Sequence, residues 1–168
     1  QSLTVMKDPN SEGSVADVAE QVALLRVMQA DATAAAETAN EIEWIRKQLD
    51  DLEELLEERG ETELLDAAGE LAGTLIAVEE KLVQLWETGT GQDMVRWPVK
   101  ALGRLTYLAG NVATSDFPPT DQHREVYEIL KERLEIAAEE LGELRLNALP
   151  AFNRLLQQRG LSPLNGGR

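Results

Sequence analysis

The chain has 168 residues, 43% of them apolar and only 4% aromatic, with 16 basic against 31 acidic residues and a formal net charge of −15. That size suits one domain with a sizeable core, the wealth of Leu and Ala fits an all-α fold, and the acidity argues against a duplex or an anionic membrane as partner, because like charges repel. The absence of Cys excludes disulfides and thiolate metal sites while leaving the compartment open, and no apolar run reaches membrane-spanning length.

Residues 1–7 (QSLTVMK) partly alternate polar and apolar side chains, and Asp8-Pro9-Asn10 is a turn signal. A lone strand has nothing to pair with. Residues 1–13 therefore read either as the last strand and linker of a missing β domain, cut at Gln1, or as an ordered arm. No cleavable signal peptide is expected.

Residues 14–59 carry no internal Pro or Gly and read as one helix of roughly 45 residues, or ~65 Å at 1.5 Å per residue. Val18, Val22, Leu25, Met28, Ala32, Ala35, Ala39, Ile42, Ile45, Leu49, Leu52 and Leu56 recur at steps of three and four, one face of a helix. Their mean spacing, close to 3.5, predicts a mild left-handed supercoil. Ser14 with Asp17 forms a variant capping box, and Gly60 supplies a left-handed stop. The small residues 30–39 leave room for close backbone approach or for a bulkier partner side chain.

A second helix is predicted over 62–88. Leu64, Ala68, Leu71, Leu75, Val78, Leu82 and Leu85 form a heptad seam, and the short Gly60 turn makes it antiparallel to the first helix. Gly69 and Gly73 point to close packing on a neighbouring helix. The acids between and beyond them argue against a membrane dimer. Residues 14–58 hold 12 acids against 3 bases, and residues 61–88 hold 7 against 1. The imbalance thus belongs to these two helices. It reads as a solvated face that keeps the chain soluble, with an acidic docking surface or adaptation to high salt as alternatives.

Residues 88–97 (TGTGQDMVRW) form a loop that lacks the Gly-Lys-Ser/Thr of a phosphate loop. Pro98 suits the first turn of a third helix running through Leu102, Leu105, Leu108 or Ala109, and Val112 to Thr114. Residues 115–119 are a rigid connector, and Thr120 caps a fourth helix over 121–159. Val126, Leu130, Leu134, Ala137, Leu141, Leu144, Ala148, Phe152 and Leu155 are its inner stripe. Pro150 is expected to kink it or split it. Gly160 ends it, and 161–168 is expected as a partly frayed tail.

Length selects the topology. In an up-down-up-down bundle the short third helix would leave the fourth half unsupported. If helices two and three run end to end, their summed length matches the first. The fold predicted is an all-α, elongated antiparallel bundle of three rods, the middle one broken, hence four helices, with an extended N-terminal arm. The bundle occupies 14–160. The arm then lies near residues 115–119 and the C-terminus near Gly60. The interior is expected to be apolar.

No chemistry-bearing constellation stands out. His123 is the only histidine. It cannot anchor a two-histidine zinc site, has no nucleophile beside it, and reads as an exposed first-turn residue. Pairs such as Asp50/Asp51, Glu53/Glu54 and Glu139/Glu140 read as helix surface. No catalytic, cofactor-binding or metal residue is assigned, and no cofactor is expected. Trp44 flanks the core, while Trp86 and Trp97 bracket the loop and are expected to pack together. The three are the candidate docking surface, for protein or for a sugar ring.

Several stretches carry a resemblance. They are Val5-Met6-Lys7-Asp8-Pro9, Gly91-Gln92-Asp93 with Pro98 and Leu102, Pro119-Thr120 with Gln122, Glu125, Val126 and Tyr127, and Pro150-Ala151-Phe152-Asn153 with Leu155 and Leu156. Across most of its length the chain resembles the C-terminal helical region of bacterial proteins with sialidase-type Asp-box (BNR) repeats, the sortilin-like or glycosyl hydrolase-like β-propeller group. The resemblance implies an exported protein in which 1–7 trails a propeller domain. The Asp-box pattern itself is missing here, so no catalytic or sugar-binding residue carries over, and any hydrolase activity would belong to the propeller.

The function expected is a non-catalytic helical module for protein–protein or interdomain packing, its partner the adjacent propeller domain or another protein. A self-associating coiled-coil scaffold, with the chain as a homodimer, and a carbohydrate- or ligand-binding module are the alternatives. Nucleic acid and membrane insertion are not expected.

Overall fold

α1 (Val15–Arg59) is one unbroken helix of 45 residues in the computed structural model, which describes residues 2–4, 6–87, 89 and 92–166. Gln1, Val5, Thr88, Thr90, Gly91, Gly167 and Arg168, which fall in the expected arm, loop and tail, lie outside the described residues. The Ser14 hydroxyl accepts from the Asp17 amide while the Asp17 carboxylate accepts from Ser14 N–H, closing the capping box. Those hydrogen bonds hold the Asp17 carboxyl below its ordinary pKa. Gly60 ends the helix at φ 67°, a left-handed conformation that a side chain would strain.

Five more helical segments follow: α2 (Thr62–Leu82), α3 (Asp93–Arg96), α4 (Ala101–Val112), α5 (Asp121–Leu146) and α6 (Ala148–Gln158). Among the described residues there is no strand, and the chain is an all-α bundle. α2 and α4 each pack on both α1 and α5, so they share the place of one rod. α5 runs parallel to α1, as three ion pairs record in ascending order: Glu20 with Arg124, Glu41 with Arg145, and Glu61 with Arg159 beyond α6. Three rods with an interrupted middle one is the arrangement that the helix lengths demanded.

The core is continuous. It runs from Leu24, Met28, Ala35, Ala39, Ile42, Ile45, Leu49 and Leu56 of α1 through Leu64, Leu71, Leu75, Val78 and Leu82 of α2. Ala101, Leu105, Leu108 and Val112 of α4, Tyr127, Leu130, Leu134, Ala137 and Leu141 of α5, Leu149, Phe152 and Leu156 of α6, and Leu164 complete it. Tyr127 and Leu134 lie against the small-residue stretch of α1, where the Tyr127 hydroxyl donates to Asp31 at 2.6 Å. Burial and then that bond push the Tyr127 hydroxyl well above its usual pKa.

The stripes depart from expectation at three places. In α6, past the break at Asn147, Leu149 and Leu156 are buried and the expected Ala148 and Leu155 are half-buried. At the start of α1, Gln21 and Leu24 are buried in place of Val22, which is exposed, and Leu25, which is half-buried. The cause is polar. The Gln21 amide donates to the Val112 carbonyl at 2.6 Å and to that of Ser115, two acceptors orphaned where α4 ends. At the start of α5, Tyr127 is buried and Val126 exposed, since the Asp31 bond fixes that face inward.

Element ends differ too. α2 stops at Leu82, six residues short of Thr88, because Val83 turns extended at φ −128° and ψ 154°. The Gln84 side chain holds the chain there, donating to the Pro98 carbonyl and accepting from Trp86 N–H. α4 starts at Ala101, not at Pro98. Val99 lies where a methyl on Gly103 would sit, and its carbonyl accepts from Arg104. α4 also ends at Val112, two residues before Thr114. The Gly69/Gly73 pair is exposed, and a methyl on either would touch nothing within 4 Å, so close packing is not their role.

The fourth helix splits at Asn147 (φ −120°, ψ −70°), three residues before Pro150. Proline has no N–H to offer the Leu146 carbonyl, and its ring crowds that position. The break therefore falls between them, leaving Pro150 in the first turn of α6 where its lost donor costs nothing.

The arm meets the bundle at Gly13, and the described part of the tail is docked. Ser11 N–H closes the expected turn onto Asp8, and Gly13 is buried against Asp116 so tightly that a methyl there would overlap the Asp116 backbone. Residues 161–166, expected to fray, are docked. Leu164 is buried, and Asn153 bonds both its N–H and its carbonyl at 2.7 and 3.0 Å. Gln48 and Asn165 exchange a second pair of bonds.

Candidate functional site

The three tryptophans do not form one platform. Trp86 and Trp97 meet at the break in the middle rod, their ring centroids 6.3 Å apart and tilted by 32°. Trp86 is exposed, and its indole N–H donates to Glu80 at 2.6 Å. Trp97 is half-buried. The pair closes the neck of the loop together with Gln84 and leaves Trp86 exposed. An exposed indole can stack on an apolar side chain or a sugar ring.

Trp44 lies elsewhere. It is half-buried on α1 and lines an open groove of about 800 Å³ with Glu37, Asn40, Glu41, Glu43, Lys47 and Arg145. The two cations are engaged, Arg145 by both carboxylate oxygens of Glu41 and Lys47 by Asp51 one turn on. The groove is therefore a walled acidic surface. Among the described residues neither Trp86 nor Trp97 lines it.

His123 is half-buried rather than exposed, and it has a defined role. It is the third residue of α5, its N–H donates to the Thr120 hydroxyl, and its Nδ1 accepts from Thr120 N–H at 3.3 Å. The ring thus stands in for the usual Glu of a capping box. Among the described residues no three His, Asp or Glu side chains are grouped to hold a metal ion, and no helix is long and apolar enough to cross a membrane.

Two polar residues inside the bundle escaped the sequence reading: Gln21, already described, and Glu79. Glu79 is fully buried on the α1-facing side of α2. Arg46 of α1 binds one carboxylate oxygen at 2.5 Å, and the other oxygen has no partner. Burial raises the Glu79 pKa despite the guanidinium, and Glu43 and Glu80 push the same way. The signal was present in the spacing. Glu79 follows Leu75 by four and precedes Leu82 by three, and Gln21 precedes Leu24 and Met28 by three and seven.

Among the large apolar side chains left outside, which also include Val22, Val27, Trp86, Val95 and Leu146, two groups stand out. One is the end of the bundle where the arm and the connector meet, with Leu3, Met6, Val15 and Phe117. The other is the outer face of α4 and α5, with Tyr107, Val126, Ile129 and Ile136. Comparison with protein-family models, with curated proteins and with solved structures returns no match.

Proposed function

We propose that the chain is a non-catalytic helical docking module of a larger, exported protein, and that it binds through the end of the bundle where its arm begins. The observation that carries this reading is the exposure of Leu3 and Met6, 90% and 83% accessible, on the arm that meets the bundle at Gly13. Exposed apolar residues grouped on one surface and rimmed by charge mark an interaction site. Gly13 against Asp116, and Gln21 on the Ser115 carbonyl, bring the arm, the first turn of α1 and Phe117 to that one end. The turn between α1 and α2 lies at the other end, and the acids of both helices keep the module soluble. The resemblance supplies the partner class, a propeller domain adjacent in sequence.

The test is cross-linking of the whole gene product, read by mass spectrometry. Lys7 is expected to couple to residues outside 1–168. Replacing Leu3 and Phe117 by Ser is expected to remove those links while leaving links inside the bundle. A map in which Lys7 couples only within 1–168 contradicts the proposal.

A further inference from the structure

The outer face of α4 and α5 has apolar, basic and acidic rows whose order is complementary to itself. Position on this face follows from helical spacing and from one fixed contact. Lys81 of the middle rod pairs with Glu140 of α5, so the side of α5 that carries Glu140 faces the middle rod. Ile129 and Ile136 share that side at steps of seven and four, and Val126 stands beside Ile129. Arg104, Tyr107 and Asn111 step three and four on α4, a second stripe beside the same seam, with Lys100 at its N-cap. Tyr107 is 75% and Ile129 51% exposed, far too open for core residues.

Charge brackets this apolar seam unequally. α4 contributes Lys100 and Arg104, and the outer edge of α5 contributes Glu125 and Glu132. None of the four enters an ion pair among the described residues. Arg104 spends its Nε on the Val99 carbonyl, which holds the guanidinium in place. Arg133 lies on the seam between the two isoleucines, at neither edge.

We infer that this face binds a second copy of the chain, in a symmetric dimer whose twofold axis runs along the helices. That axis sets α4 of one copy across from α5 of the other. Lys100 and Arg104 then meet Glu125 and Glu132, and the apolar seams close on each other as a four-helix layer. An axis across the helices would instead stack α4 on α4 and α5 on α5, bringing like charges together. α4 has 12 residues and lies beside α5 over about 18 Å only, so each copy buries roughly 400 Å². That is below the standard size of specific dimers, so association is weak and sensitive to salt. The inference does not depend on the docking end proposed above, which is a different surface.

Sedimentation equilibrium of the whole chain tests it, over about 0.01 to 1 mM. The mass is expected to rise with concentration from 18.5 kDa toward twice that value, and to fall back when salt is added. Ile129→Asp, Arg104→Glu and Glu132→Arg are each expected to hold the chain monomeric, with circular dichroism unchanged. The Arg104→Glu/Glu132→Arg double variant is expected to dimerise again, since each copy offers both partners. A mass of 18.5 kDa throughout, a dimer that ignores these substitutions, or a double variant that stays monomeric would each overturn the inference.

Discussion

Arg46 of α1 and Glu79 of α2 form an ion pair at 2.5 Å in which the carboxylate is fully buried and the guanidinium reaches partly to solvent. The pair ties the uninterrupted rod to the interrupted one, three residues before α2 ends. Removing one member strands the other. Arg46→Ala leaves an uncompensated buried carboxylate, and the expected loss of stability is about 2–4 kcal/mol, somewhat below that for a pair buried on both sides. The Arg46→Met/Glu79→Leu double variant is expected to recover most of that loss, because it removes both desolvation costs. Denaturant titration of the three proteins measures both effects.

The same carboxylate gives the fold a pH signature. Its pKa in the folded chain is raised above the ordinary 4.5, so the folded state holds that proton more tightly than the unfolded one. Its contribution to stability is complete below 4.5 and is lost as pH rises through the folded value. Glu79→Gln abolishes the titration. The stability of wild type minus that of Glu79→Gln is therefore expected to grow as pH falls from 7 toward 4.5. Paired denaturant melts across that range measure it, and a difference that is flat or of opposite slope is against it.

Gln21 closes the junction between α4 and the connector. Gln21→Ala takes away donors from the Val112 and Ser115 carbonyls at a buried site. A loss of about 1–3 kcal/mol is expected. Amide exchange is expected to quicken first in residues 112–120, beside the vacated side chain, and not in α6.

The tail is held mainly by Asn153. Asn153→Ala removes both bonds to Leu164. The Leu164 amide is expected to exchange roughly tenfold faster, which corresponds to about 1.4 kcal/mol. The amide of Leu105, in the core of α4, is expected to keep its protection.

Legibility in the sequence follows the kind of force at work. Where apolar burial alone decides, as along Ile42, Ile45, Leu49 and Leu56 or Leu71, Leu75, Val78 and Leu82, the period of the side chains names the buried face directly. The unbroken first rod and the interrupted second one follow from Gly, Pro and length. What the period hides is every place where a polar side chain outbids an apolar one. Gln21 displaces Val22 because two carbonyls at the end of α4 require a donor. Gln84 and the Trp86–Trp97 contact end α2 before its heptads run out. Asn153 turns an unremarkable LSPL stretch into a docked tail. Spacing marks the inward face of Gln21 but does not name the carbonyls it meets, and nothing local names the Leu164 partner of Asn153. The tryptophan pair was legible because its members flank one loop, whereas the Arg46–Glu79 pair, separated by 33 positions, was not.

The arrangement from which the docking end and the dimer face both follow is the parallel return of α5 along α1. The chain has no Cys, so pairs of introduced cysteines can be spin-labelled cleanly and their separation read by pulsed electron resonance. Labels at Glu20→Cys and Arg124→Cys are expected within about 20 Å of each other. Those at Glu20→Cys and Arg145→Cys are expected beyond about 30 Å, since roughly 21 residues of α5 lie between at 1.5 Å each. The reverse order, with 145 near 20 and 124 far from it, would contradict the account.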